Sequence, residues 1–284
     1  MPMTATARPA KSSPVLVVFG AVLLGLIIGM IAANVWPVLL LNLNTPVASV
    51  VEIAFLTAYI FWVSGGGPPH KWRAFRSECL RVRGLTGRDW LWGIIAAVSF
   101  AATVHASIVV LFRFIPYPAA SFHRGYDFSF IPTPSLKWLA CVISAISAGV
   151  CEETGFRGYM QRPIERRIRP GTAILVSSLF FTLIHLTKSW ALLSMVPIVF
   201  GAGLLLGWMA RASRSLVFCI VGHTVMDVGL FAYWWTQIAG VFPQKPIFET
   251  RVDSAFLLEC TILLVCVSLT LISIRKLSRP LAPS

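Results

Sequence analysis

Apolar runs of roughly 18 residues or more, each long enough to cross about 30 Å of hydrocarbon, recur along the whole chain. Eight lie at about 14–35, 46–63, 89–113, 136–162, 170–187, 190–210, 214–236 and 254–274. Of the 284 residues, 57% are hydrophobic and 12% are charged, too few polar groups to clothe a water-soluble domain of this length. The expectation is an all-α, polytopic membrane protein of about eight transmembrane helices. Residues 1–284 then form a single integral membrane domain with no soluble domain left over.

The net charge of +13 would suggest a nucleic-acid partner in a soluble protein. Here the positions of the charges report topology instead, and no nucleic acid is expected. With the N-terminus inside, 18 of the 24 Lys and Arg residues fall in inner segments, including the stretches Lys71–Arg88 and Arg157–Arg169, and 6 fall in outer ones. That split predicts cytoplasmic termini in the cell (inner) membrane, or in the endoplasmic reticulum membrane of a eukaryote. The first run follows Arg8 and Lys11 and is too long for a cleavable signal, so it reads as a retained anchor. The segment Ser64-Gly-Gly-Gly-Pro-Pro-His70 breaks the second run, and the basic stretch after it reads as a structural cytoplasmic loop against anionic headgroups. The six Cys residues form no CxxC pair and indicate neither a disulfide framework nor a thiolate metal site. No internal repeat is visible, which disfavours an inverted-repeat transporter.

An ionisable group within hydrocarbon costs several kcal/mol, about 2.5 to 3.5 on insertion scales, so each needs a partner or a task. Glu52 and Glu259 lie within about two turns of outer helix ends, where their side chains are expected to reach the interface. His105, alone in mid-helix, reads as an interhelical hydrogen-bonding group. The remaining groups cluster: Glu152, Glu153 and Arg157 on the fourth run, His185 on the fifth, His223 and Asp227 on the seventh. At about 1.5 Å per residue from the inner ends, Glu152, His185, His223 and Asp227 lie about 14 to 21 Å deep. This common depth requires the fourth helix to continue past its carboxylates to about Pro163. Residues four apart share a helix face, so Glu153 can pair with Arg157, and His223 and Asp227 can point together into one polar cavity. Glu152, turned about 100° from Glu153, is free for chemistry. The bland reading of any one pair is a structural polar core; three clusters at one depth weigh against it.

The strings Glu152-Glu153-Thr-Gly-Phe-Arg157, Phe181-Thr-Leu-Ile-His185 and His223-Thr-Val-Met-Asp227 resemble the three motifs EExxxR, FxxxH and Hxxx(N/D) of the CAAX-protease and bacteriocin-processing (CPBP, or Abi) family of intramembrane proteases. The resemblance covers about 138–235, a family-like catalytic core built on the fourth, fifth and seventh helices. The related prenyl endopeptidases carry Asn where this chain has Asp227. HExxH, GxGD and GxSG, the signatures of other intramembrane proteases, do not occur.

The resemblance implies a peptide hydrolase acting on a membrane-associated peptide or protein. In it, Glu152 and His185 activate a water, and His223 with Asp227 stabilises the tetrahedral oxyanion. Glu153 and Arg157 support the site. No cofactor is favoured, because ligands from three helices without HxxxH spacing do not by themselves make a metal site; the alternative is zinc held by Glu152, His185, His223 and Asp227. A reading of another class is a non-catalytic immunity or adaptor protein, or a transporter.

Overall fold

The computed structural model describes residues 13–120, 127–186 and 190–278. Its helices are α1 (Pro14–Ala33), α2 (Val35–Asn42), α3 (Thr45–Val63), α4 (Arg73–Cys79), α5 (Gly87–Phe114), α6 (Pro134–Glu153), α7 (Gln161–Glu165), α8 (Pro170–Leu186), α9 (Val196–Ser213), α10 (Val217–Gly229), α11 (Ile247–Thr250) and α12 (Ser254–Leu277). No strand occurs among the described residues. The starts follow from local chemistry. Pro stands in the first turn of α1, α3 and α6, where its missing N–H costs nothing. Asn44, Thr133 and Asp253 accept backbone N–H groups at the starts of α3, α6 and α12. Thr86 and Asp89 close a capping box at the start of α5. Arg214, in a left-handed conformation, ends α9 and turns the chain into α10.

By length and composition, seven helical segments among the described residues can cross a membrane. The fifth expected run is the exception: its described part, Pro170–Leu186, has 17 residues, about 25 Å at 1.5 Å each. It nonetheless returns the chain from one level to the other. Arg157 and Gln161, four apart, donate to the carbonyls of Gly203 and Gly207, also four apart, at 3.2 and 3.0 Å. The segment bearing the first pair therefore runs parallel to α9, and two parallel segments need a crossing between them.

The fourth helix does continue past its carboxylates. From Pro134 to Glu165 it is one 32-residue segment, in which α6 passes into a π-helical stretch, Thr154–Met160, and then into α7. A π turn leaves carbonyls without their i+4 partners, and the Phe156 carbonyl accepts from Ser177 Oγ of α8 at 2.9 Å. α10 likewise passes into a π-helical stretch, Leu230–Trp235.

α10 lies between α5 and α6, α8 packs on α9, and α12 packs along α5 with most of its surface facing outward. α1 crosses the first π stretch closely: a Cβ on Gly155 would stand 2.6 Å from the Gly25 carbonyl oxygen and from the Gly29 Cα. Only a residue without a side chain admits that approach.

The loop after α3 is structural, as expected. Arg76, buried and stacked on Trp62, donates to the carbonyls of Gly66, Gly67, Pro68 and Pro69. Other cations of the basic stretch are also held in ion pairs: buried Arg81 with Glu165 at 2.9 Å, and exposed Arg83 with Asp89 at 3.1 Å. Burial holds the Arg81 guanidinium below its ordinary value, against the raising effect of Glu165.

One expectation is overturned. Glu52 does not reach the interface; it is fully buried against α6 and accepts a hydrogen bond from Ser147 Oγ at 2.7 Å. Its depth along α3 would allow escape, but its face of α3 is covered by α6. Glu259 behaves as expected, partly exposed and paired with Arg113 at 3.3 Å beside Asp253. His105 joins helices: Trp234 Nε1 donates to its Nδ1 at 3.1 Å, which leaves Nε2–H for the Met226 carbonyl at 3.1 Å.

Candidate active site

The three motif segments meet inside the bundle. α6 ends in Glu152 and Glu153, and the π stretch that follows carries Arg157. α8 brings Phe181 and His185 on one face, and α10 brings His223 and Asp227 on another. All six polar side chains but one are buried; His185 is the more open, with 22% of its side chain exposed.

Glu153 is the anchor. Its Oε1 accepts from Arg157 Nη1 at 2.8 Å and from His223 Nδ1 at 2.7 Å, and it is completely buried. The sequence pairs Glu153 with Arg157 alone, whereas the structure makes the same oxygen the partner of His223. A carboxylate beside a guanidinium can only accept, so Nδ1 of His223 carries a proton. The other ring nitrogen, Nε2, then faces Asp227 Oδ2 at 3.4 Å.

The second pair is His185 and Glu152. His185 Nδ1 lies 2.7 Å from the Phe181 carbonyl, to which it donates, and this turns Nε2 with its lone pair towards Glu152 Oε2 at 3.9 Å. Glu152 and Glu153 therefore serve different histidines from different faces of one helix.

Phe181 joins the two pairs, and reading the motifs for ionisable groups alone passes it over. Its ring centroid is 4.5 Å from that of His185 and 5.8 Å from that of His223, and the Arg157 guanidinium lies over it at 4.4 Å. The only sequence signal for it is the aromatic position of FxxxH. A ring in this place keeps water from the Glu153–Arg157 pair and contributes a cation–π contact of about 2 kcal/mol when desolvated.

Among the described residues, no three His, Cys, Asp or Glu side chains are placed to hold an ion, and both nitrogens of His223 face carboxylates within 3.4 Å.

Residues 134–229, about a third of the chain, match the family model described as Rce1-like, type II CAAX prenyl endopeptidase. This region is similar to that family. It contains all of Glu152, Glu153, Arg157, His185, His223 and Asp227. The match agrees with the CAAX-protease and bacteriocin-processing family read from the three motifs, and supports an intramembrane endopeptidase, a peptide hydrolase acting within a multi-pass membrane protein. No curated protein and no solved structure matches the chain.

Proposed function

We propose that the chain is a glutamic-type intramembrane endopeptidase in which Glu152 is the general base. The observation that carries this is the pairing of Glu152 with the lone-pair nitrogen of His185, on the open side of a cluster whose other histidine is held by Glu153. A water held between Glu152 Oε2 and His185 Nε2 gives its proton to Glu152 as its oxygen attacks the scissile carbonyl carbon. The carbonyl oxygen becomes an oxyanion, stabilised by the N–H that His223 presents on Nε2 when its ring carries both protons and by the O–H of a protonated Asp227. Glu152 then passes the proton to the leaving amine nitrogen, so that one peptide bond breaks and one water is consumed. Fixed donors aimed at developing charge in a dry site contribute more than they would in water. Zinc held by Glu152, His185, His223 and Asp227 is the alternative, and no step is routed through a metal.

The substrate is a membrane-associated peptide or protein, and the basic ends of the helices orient both termini to the cytoplasm. Purified protein reconstituted in lipid and presented with a peptide library tests the reading. The parent is expected to cut and Glu152→Ala is not. Cutting by Glu152→Ala at the parent rate would remove the proposal. Comparing membrane proteomes with and without Glu152→Ala then identifies the substrate.

A further inference from the structure

A second polar feature stands at the basic end of the bundle, apart from the motif residues. A cavity of about 490 Å³ opens between the start of α1, α4 and α7, with Val17, Phe75, Glu78, Arg162, Arg166 and Arg167 in its lining. Three guanidinium groups stand there against Glu78, and Arg162 also lies 3.7 Å from Glu165. Arg166 and Arg162 both reach Glu78, the latter at 3.4 Å. The neighbouring Glu165 is occupied by Arg81 on the buried side, with both side chains at most 4% exposed. Arg167 is exposed and makes no ion pair among the described residues. The Nε of Arg162 is buried and has no hydrogen-bond partner. The cavity thus presents a surplus of planar cationic donors and one buried donor awaiting an acceptor.

Its level and its walls narrow the acceptor. Val17 and Arg162 each lie within one helical turn of the end of a membrane-spanning segment, the depth at which lipid phosphates sit. Val17 and Phe75 give the cavity an apolar side. Beyond it the lipid-facing residues of α1, Val15, Leu16 and Phe19, are 74%, 65% and 66% exposed. A soluble anion would use the arginines and leave that apolar side unused. We propose that the cavity is a headgroup site for an anionic phospholipid of the surrounding membrane. Arg162, Arg166 and Arg167 hold the phosphate through charge-assisted, forked hydrogen bonds, and the acyl chains lie along α1.

The test is thermal unfolding of the full chain in a neutral detergent, titrated with phosphatidylglycerol, phosphatidylcholine or inorganic phosphate. Phosphatidylglycerol is expected to raise the midpoint by several degrees, while phosphatidylcholine and inorganic phosphate leave it within one degree. Arg167→Gln, at an exposed and unpaired side chain, is expected to fold normally and to need about tenfold more phosphatidylglycerol for the same shift, as loss of one charged hydrogen bond implies. A control separates a built site from diffuse surface charge. Arg211 and Arg275 line a second, smaller cavity of about 320 Å³ between α9 and α12, and Arg211→Gln with Arg275→Gln removes two charges at the same membrane level. That pair is expected to leave the titration unchanged. An equal shift with phosphatidylcholine, the full shift with inorganic phosphate, an unaltered titration in Arg167→Gln, or an equal loss in the control pair would each overturn the assignment.

Discussion

His223 and Glu153, 70 positions apart in sequence, are joined by a hydrogen bond of 2.7 Å between Nδ1 and Oε1, and the same carboxylate oxygen holds Arg157 at 2.8 Å. Three groups from two helices thereby share one buried charge balance. Removing the carboxylate charge leaves a guanidinium uncompensated in a dry site, a loss of about 3 to 5 kcal/mol. Glu153→Gln is therefore expected to lower the unfolding midpoint and the yield of membrane-inserted protein, and to free the ring of His223. Unfolding followed in detergent checks this; an unchanged midpoint would show that the pair contributes little.

Glu152→Gln is expected to behave in the opposite way. Gln keeps the shape of the side chain and cannot take a proton, so turnover should fall by about 10² to 10⁴-fold with the unfolding midpoint unchanged. A stable, inactive Glu153→Gln beside an active Glu152→Gln would exchange the roles of the two carboxylates.

The contrast between these carboxylates shows which relations a sequence carries. Spacing of four places Arg157 on the face of Glu153 and Asp227 on the face of His223, and both pairs are found in the structure. Depth along a helix is also legible, and it set the condition that the fourth helix must run on to about Pro163. Rotation of one helix against another is not legible. The bond between Glu153 and His223 depends on how α6 faces α10, and the burial of Glu52 on how α3 faces α6; neither facing is encoded in a spacing. The two π stretches also escaped. Thr154–Met160 follows apolar periodicity as an α-helix would, and its extra residue per turn is fixed by the glycine crossing and by Ser177 capturing the Phe156 carbonyl.

That crossing supplies the third prediction. Gly155→Ala places a methyl group 2.6 Å from backbone atoms of α1, and backbone cannot yield as a flexible side chain would. Overpacking of this kind costs about 1 to 3 kcal/mol, and the displaced π stretch carries Arg157 with it. Gly20→Ala on α1, where nothing lies within 4 Å, is the control and should be neutral. Equal unfolding midpoints for the two variants would mean that the helices part without penalty.

Topology follows from the distribution of Lys and Arg residues. A reporter fused after Ser284 should read cytoplasmic, and one placed in the loop between α5 and α6 should read on the opposite side. A reversed readout would turn the orientation over and leave the site geometry as it is.

Asp227 separates the two mechanistic readings, because the prenyl endopeptidases that this chain resembles carry Asn there. His223 Nε2 lies 3.4 Å from its Oδ2, so the two side chains present a paired polar edge. If they bind the oxyanion, an amide donates as well as a protonated carboxyl does. Asp227→Asn should then keep much of the activity, while Asp227→Ala should lose about 10²-fold or more, the usual cost of one oxyanion donor. A zinc ligand behaves otherwise, since a neutral amide coordinates far more weakly than a carboxylate, and activity would collapse in the Asn variant and return in part with added zinc. Turnover of the parent, Asp227→Asn and Asp227→Ala, each with and without a chelator, decides between them. An inactive Asn variant together with a chelator-sensitive parent would replace the metal-free mechanism with a zinc-dependent one.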